Sequence, residues 1–444
     1  MLGIRRRTFS GGAHPQEEKV HTEKKPIEEM PPPATVVIPL QQHIGAPSEP
    51  TVKEGDQVKI GERLSEPQGF VSVPVHASVS GTVQKVAPMP HPLGEVMMAV
   101  VIENDGQDAF IDTIKPDENY MALTPDEMRQ KIREAGIAGM GGATFPTHVK
   151  LSPPEDKPID VLILNGAECE PYLTADHRLM LEYPQDIFNG LKIFQTILEV
   201  KKVYIAIEKN KPDAIRTMKE ITADDKEVEI IGLQVKYPQG AEKQLIKAIT
   251  DREVPTGGLP MDVGCLVQNV GTAKAVFDAL RWGKSLYQRV VTVAGQGVKE
   301  PKNLLIRIGT PFKDVIAFCG GYTDGASKLI MGGPMMGISQ YTDEVPVIKG
   351  TSGIVLLDDK TAPAVEPSPC IGCGRCVYTC PMRLVPTTIA QLVDFKKYEM
   401  AEKWGLMDCI ECGNCSFVCP SKRRLLHSIR FGKYQVQKLN KKAG

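Results

Sequence analysis

Eight of the eleven cysteines in this 444-residue chain fall between Cys370 and Cys419, in two runs of identical spacing. The first reads Cys370-x-x-Cys373-x-x-Cys376-x-x-x-Cys380-Pro381, and the second Cys409-x-x-Cys412-x-x-Cys415-x-x-x-Cys419-Pro420. Three thiolates at two-residue gaps wrap one face of an iron–sulfur cubane, while the fourth points away. In two-cluster ferredoxins of this spacing the fourth cysteine ligates the other cluster. The expected assignment is Cys370, Cys373, Cys376 and Cys419 for one [4Fe–4S] cluster, with Cys409, Cys412, Cys415 and Cys380 for the second. Gly372, Gly374 and Gly413 let the backbone bend so that its N–H groups face the sulfurs. Zinc is the alternative metal, but it favours two separated C-x-x-C pairs over a continuous run. Cys169, Cys265 and Cys319 stand alone, as buried apolar cysteines do.

Clusters pass electrons singly, so a two-electron partner calls for a flavin to split the pair. The best candidate loop for one is Gly139-Met140-Gly141-Gly142-Ala143-Thr144-Phe145-Pro146, running on to Lys150. Glycines admit a phosphate close to the backbone, and a following helix N-terminus and Lys150 favour its charge. The loop is not a G-x-G-x-x-G fingerprint, since its spacing differs and no strand is evident before it. A second segment, Asn165-Gly166-Ala167-Glu168-Cys169-Glu170-Pro171, lies at the C-terminal end of an expected strand, where α/β sheets place ligands. Asn165 suits a flavin ring edge. Glu168 and Glu170 suit ribose hydroxyls or a nicotinamide amide, or else form an exposed acidic loop. No general acid or base is required, because hydride transfer is the cofactor's chemistry.

The elements that must position these groups divide the chain into six segments: 1–35, 36–110, 120–285, 286–345, 360–425 and 426–444. After an N-terminal segment, residues 36–110 alternate short apolar runs with Gly and Pro and read as all-β. Val52–Leu64 and Val75–Val83 resemble the barrel-sandwich fold of lipoyl and biotinyl carriers, but no lysine lies between Leu64 and Val75 to carry a swinging arm. Residues 120–285 alternate helix and strand signals and predict a Rossmann-like α/β domain. Its expected strands include Val161–Leu164, Val203–Ile207 and Val228–Leu233. Its expected helices include one from Pro125 that is capped by Thr124 and stopped at Gly136. Residues 286–345 predict a small β-grasp-like ligand-binding domain with one helix, Phe312–Phe318. A Pro-rich linker, Thr361–Pro369, leads to the α-helical two-cluster domain at 360–425. After Cys419 come eight Lys/Arg and no Asp/Glu. This basic tail is either a solvated helix face or a docking element for an acidic partner or anionic lipid.

Composition narrows the classes. Apolar residues make up 42% and charged residues 24%, the mix of a globular protein. Net charge is −1 and aromatics are 6%, so nothing points to nucleic acid. No apolar run approaches the roughly 18 residues of a membrane helix, and no secretory signal is evident. A reducing cytoplasm is expected.

The flavin loop resembles the GRGGAGFPTGxKW segment of the NADH-binding flavoprotein subunit of respiratory complex I. Asn165–Pro171 resembles that family's NADEGEPG, Tyr237-Pro-Gln-Gly240-Ala-Glu242 its Y-x-x-GEET, and Gln268-Asn269-Val270-Gly271-Thr272 its NNVET. Met140, Thr144, His148 and Ala241 depart from the pattern. The opening motifs, Phe9-x-Gly11-Gly12-x-His14-Pro15 and Ile38-Pro39-Leu40-x-Gln42-His43, and the domain order are similar to the RnfC family, found in the Rnf ion-translocating ferredoxin:NAD oxidoreductases. That resemblance implies a peripheral membrane protein on the cytoplasmic face, partnered by other membrane and iron–sulfur subunits. Electrons would come indirectly from ferredoxin. It implies non-covalent FMN, two [4Fe–4S] clusters and an NAD(H) site. Gly139, Gly141, Gly142, Thr144 and Lys150 would cradle FMN, with Asn165, Asn269 and Thr272 around it. Glu168, Glu170 and Glu242 would face the nucleotide. His14 and His43 are expected to be structural. The rival readings are a cobalamin reductase of the propanediol-utilisation type and a non-enzymatic iron–sulfur relay without flavin.

Overall fold

The computed structural model describes residues 7–443. Near the N-terminus a four-stranded antiparallel sheet runs in the order Thr35–Pro39, Val96–Asn104, Gly81–Pro90, Gln57–Val58, with a small ribbon of Glu49–Pro50 and Ser65–Glu66 beside it. Inward-facing Val36, Ile38, Leu64, Val75, Val83, Val100 and Ile102 form its core.

The unit that follows is built on a four-stranded parallel sheet, ordered Val228–Leu233, Lys202–Glu208, Val161–Gly166, Cys265–Asn269. Its strands are buried on both faces, as parallel strands must be. Leu162, Leu164 and Ile205 point to one core, and Val161, Ile163 and Ala206 to the other. The first of these strands in the chain, Val161–Gly166, is central, and later strands are laid down on both sides of it. The order therefore reverses between Val161–Gly166 and Cys265–Asn269, and that reversal opens a crevice at the carboxyl ends of the two strands. The helix Pro125–Glu134 starts with a capping box. Glu127 N–H donates to Thr124 Oγ1 (3.3 Å), and Thr124 N–H donates to the Glu127 carboxylate (2.8 Å). Gly136 follows with φ +69°. Two helices not anticipated from sequence, Ala175–Glu182 and Pro184–Leu198, connect the first two strands. The helix Pro184–Leu198 packs on Val270–Trp282, and Gly190 permits it, because a Cβ there would collide with Ala273.

The third sheet draws on more of the chain than 286–345. Its order is Ile27–Glu29, Lys302–Arg307, Gln288–Ala294, Gly353–Asp358, Ala326–Met331, Ile338–Ser339. Strands on both sides of the 286–345 segment, one near the N-terminus and one after Gly350, complete it. The helix Phe312–Phe318 lies where expected and buries Phe312, Val315 and Ile316 against the sheet.

The last unit is helical. Pro386–Asp394, Tyr398–Lys403 and Leu425–Ala443 share a core of Ile389, Val393, Leu406, Leu425, Ile429 and Val436. The basic tail is thus not separate from the cysteine-rich unit: residues 425–443 form its longest helix.

Candidate redox site

The glycine loop is closed at its neck. Gly139 N–H donates to Phe145 O (2.9 Å) and Thr147 N–H to Ile137 O (3.1 Å). Met140 N–H donates to Thr272 Oγ1 (3.0 Å), which ties the loop to the helix Val270–Trp282. Gly141 is dictated by space, since a Cβ there would sit 2.6 Å from Asn269 Nδ2. At Gly142 a Cβ would meet nothing within 4 Å, so this side of the loop is open to a ligand. Thr144 adopts φ +50°, an uncommon choice for a non-glycine residue.

Around the loop stand the side chains at the reversal of strand order. Asn165 and Asn269 are register partners at the ends of the two central strands. Asn165 Nδ2 donates to Gly240 O (2.9 Å). Asn269 Oδ1 accepts from Gly271 N–H (2.7 Å) as the cap of Val270–Trp282, and its Nδ2 donates to Asp176 (2.7 Å). Lys150 Nζ is paired with Glu242 (2.7 Å) and donates to Val267 O (2.6 Å). Gly139, Gly141, Gly142, Thr144, Lys150, Asn165, Glu242, Asn269 and Thr272 thus gather at one crevice.

Glu168 and Glu170 are each held by backbone amides. The Glu168 carboxylate accepts from Asp176 N–H (2.7 Å) and His177 N–H (3.2 Å), capping the helix Ala175–Glu182. Glu170 accepts from Met335 N–H (3.0 Å) and Met336 N–H (2.8 Å), and its carboxyl lies 3.3 Å from the Tyr237 hydroxyl oxygen. Burial pushes its carboxyl up to about 7 despite these donors. The loop carrying both is fixed from below by the buried Lys19. Its Nζ donates to Glu168 O (3.0 Å), Glu170 O (2.9 Å) and Leu173 O.

Asp176 escaped the sequence reading, and Gln239 and Gln268, quoted there within motifs, were given no role. Asp176 is pushed up to about 7 by burial and by the nearby Glu168. Gln239 is fully buried, and neither of its amide atoms has a partner among the described residues; Gln268, 3% exposed, leaves its Nε2 unpartnered. Both lie within the quoted motifs, and that membership was the only sequence signal. Unpaired buried amides are costly in a finished protein. With the open face at Gly142, they fit a site built to receive a polar ring system and a phosphate.

Seven of the eight cysteines fall into two groups that interleave the runs. Cys380 lies in electrostatic contact with Cys409, Cys412 and Cys415. Cys376 lies within electrostatic reach of Cys370 and Cys419. Gly374 (φ +71°) and Gly413 (φ +80°) start equivalent short helices, Arg375–Tyr378 and Asn414–Phe417. Leu384 N–H donates to Cys380 Sγ (3.4 Å) and Glu411 N–H to Cys409 Sγ (3.4 Å), the N–H⋯S bonds that tune such centres. The Cys380 group lies against Leu384, Ile389, Leu426 and Ile429. Burial pushes the Cys412 and Cys415 thiols up to about 12, so a metal must displace their protons to bind. Four sulfurs in an apolar pocket suit a cubane. Cys370 and Cys373, by contrast, are exposed.

The enclosed group adjoins the crevice. The Tyr237 hydroxyl donates to Cys412 O (2.9 Å), and Lys433 Nζ donates to Cys409 O (2.7 Å). Gly12 N–H donates to Thr379 O (2.8 Å), and Ala13 pairs with Tyr237 through two backbone bonds. The opening Gly-Gly motif therefore stitches cluster unit to crevice. His43 is buried and accepts from Val73 N–H (3.2 Å), a structural role, whereas His14 is exposed.

Comparison with known proteins matches four families in order. They are the RnfC barrel sandwich hybrid domain at residues 7–107, the Nuo51 FMN-binding domain at 132–278, the SLBB domain at 290–339 and the 4Fe-4S dicluster domain at 362–420. The chain is 51% identical to the C subunit of the proton-translocating ferredoxin:NAD(+) oxidoreductase complex of Clostridium ljungdahlii, over 96% of this chain and 93% of that one. It is 48% identical to the C subunit of the Na(+)-translocating complex of Acetobacterium woodii, over 98% of both. It is 44% identical to the C subunit of the ion-translocating oxidoreductase complex of Rhodobacter capsulatus, over 96% of this chain and 82% of the relative. Among solved structures, a chain of an NAD+-reducing [NiFe]-hydrogenase shares the fold, with TM-score 0.50 and 19% identity over 73% of this chain and 63% of its own. With barrel sandwich, flavin-type crevice, SLBB sheet and interleaved cysteine runs in one order, and with such relatives end to end, the chain belongs to the RnfC family of ion-translocating ferredoxin:NAD(+) oxidoreductase complexes.

Proposed function

We propose that this chain is the electron-transferring subunit of a membrane-bound, ion-translocating ferredoxin:NAD+ oxidoreductase, holding non-covalent FMN, two [4Fe–4S] clusters and the NAD(H) site. The observation that carries the reading is the junction at Tyr237. Tyr237 begins the turn whose Gly240 carbonyl holds Asn165 at the crevice, and its hydroxyl donates to Cys412 O of the enclosed cysteine group.

FMN bound there would exchange a hydride with nicotinamide and single electrons with iron–sulfur centres. The chain's own residues do the rest. Gly139, Gly141, Gly142 and Thr144 form the loop for the phosphate, and Lys150 supplies its countercharge by leaving Glu242. Glu242, freed of that partner, would face the nucleotide with Glu168 and Glu170. Asn165, Asn269 and Thr272 hold the loop and the ring edge in register. Gln239 and Gln268 supply amides that lack protein partners. Cys380, Cys409, Cys412 and Cys415 hold the inner cluster, and Cys370, Cys373, Cys376 and Cys419 the outer one. No helix among the described residues is long and apolar enough to cross a membrane. Ion passage would therefore fall to partner subunits, with this chain peripheral to them on the cytoplasmic face.

The test is cofactor analysis of anaerobically purified protein with NADH-driven reduction followed by EPR. About eight irons per chain and one released FMN are expected, with both clusters reduced by NADH. Iron-replete protein without FMN would leave only an electron relay, and zinc in place of iron would remove the reading altogether. Co-purification with membranes separates this role from that of a soluble cobalamin reductase.

A further inference from the structure

The barrel-sandwich unit reaches the rim of the crevice through two of its segments, 43–46 and 69–72. They are tied to each other: Ala46 N–H donates to Val71 O (3.1 Å), and Ser72 Oγ donates to Ala46 O (3.0 Å). Gly45, at φ +129°, lets them close up, since a Cβ there would collide with Val71 O. Each segment is also bonded to the α/β unit. Ile44 N–H donates to Thr144 O (3.1 Å) at the end of the glycine loop. His148, in the short helix Thr147–Lys150, donates through Nε2 to Phe70 O (2.9 Å), because a carbonyl only accepts. Arg133, on the helix Pro125–Glu134, donates to Gly69 O (2.8 Å).

Held in this way, the two segments display apolar surface. Phe70 is 56% exposed and Ile44 54%. The Phe70 ring meets the His148 imidazole edge to face, with centroids 5.5 Å apart and planes at 86°. Scattered apolar side chains on a surface are ordinary. These two, however, are bonded through their backbones to the stretch of chain that runs from the glycine loop to Lys150. An aromatic ring fixed beforehand loses little freedom when a ligand meets it.

The shape of a dinucleotide says which ring would arrive there. Hydride transfer needs the nicotinamide against the flavin, inside the crevice at Asn165 and Asn269. A pyrophosphate and two riboses separate it from the adenine, which then falls outside, at the rim. Adenine is flat, with polar edges and stacking faces, and it pairs readily with an aromatic side chain.

We propose that Phe70, presented by the barrel-sandwich unit, is the platform on which the adenine of NAD(H) stacks. The proposal rests on the proposed function and deepens it: two domains share recognition of the dinucleotide, and Phe70 supplies binding without touching the reacting atoms.

The test is oxidation of two substrates by the full chain, loaded with iron and FMN, with ferricyanide as acceptor. One substrate is NADH. The other is reduced nicotinamide mononucleotide, which lacks the adenylate half. Phe70→Ala should lower kcat/KM for NADH about tenfold and leave that for the mononucleotide where it was. Phe70→Trp keeps a flat platform and should restore the value for NADH, whereas Phe70→Leu, apolar but not planar, should not. An equal loss on both substrates would mean that Phe70 acts only through the fold of the rim, and it overturns the platform. So does an unchanged preference for NADH in Phe70→Ala. If the unaltered chain takes up no FMN or oxidises neither substrate, the proposed function fails. If it oxidises both and the Phe70 variants match it, only the platform fails.

Discussion

Two adjacent glycines in the flavin loop separate architecture from ligand binding. At Gly141 an added Cβ would lie 2.6 Å from Asn269 Nδ2, 2.8 Å from its Cγ and 2.9 Å from its Cβ, so something must move. Asn269 cannot yield freely, because its two amide atoms cap a helix and bond the buried Asp176. Losing the cap costs about 1 kcal/mol, and leaving a buried oxygen of Asp176 unpaired costs about 1–3 kcal/mol. Gly141→Ala should therefore destabilise the chain by about 2–4 kcal/mol. If the loop moves instead, the bond from Met140 N–H to Thr272 breaks, at about 1–3 kcal/mol. Gly142→Ala meets open space and should change stability by no more than about 0.5 kcal/mol. Its methyl group, however, occupies the approach a phosphate would use, so FMN content should fall. The assay pairs denaturant unfolding with the flavin released by acid. A stable Gly141→Ala protein with full FMN would refute the packing argument. Full FMN in Gly142→Ala would place the phosphate elsewhere.

Cys380→Ser should remove the enclosed cluster and leave the exposed one, lowering iron from about eight to about four per chain. Loss instead of the cluster that chelators reach first would show that each run keeps its own ligands. Lys19→Met strips three carbonyls of their donor and should cost about 2–4 kcal/mol in denaturant unfolding; a change below about 0.5 kcal/mol would make that anchor dispensable. Burial, with the charges of Lys349 and Arg63, pushes the His76 imidazole from 6.5 down to about 3. The unfolded chain takes up that proton first, so the stability held by the neutral ring is whole above pH 6.5 and drains away towards pH 3. His76→Gln should flatten this acid limb, and an unchanged limb would assign it to other groups.

What could be read from sequence was what acts locally. Cysteine spacing encodes ligand geometry directly, and Thr124-Pro125 with Gly136 marks a helix by its own ends. The strand Cys265–Asn269 is short and ends in amides, so its apolar signal is only three residues long. In Ala175–Leu198 a Tyr-Pro step reads as a stop, whereas Pro184 occupies the first turn of the second helix, where its missing N–H costs nothing. The reach of the third sheet to Ile27–Glu29 and Gly353–Asp358 depends on pairing across long separations, which no local pattern reports. The contacts of Glu170 were hidden for the same reason: the amides that hold it belong to residues 335 and 336. Asp176, Gln239 and Gln268 matter because they are buried, and burial is a property of the assembled fold.

The bond from the Thr379 hydroxyl to Gly12 O spans 367 positions. At 5–20 residues per second, a ribosome needs roughly 20–70 s to cover that distance. Throughout that interval the segment around Phe9–Lys19 is synthesised but has no cluster unit to zip against. Final closure is therefore a late event in biosynthesis. A nascent chain stalled before Thr379 would carry its seam open, within reach of chaperones and proteases.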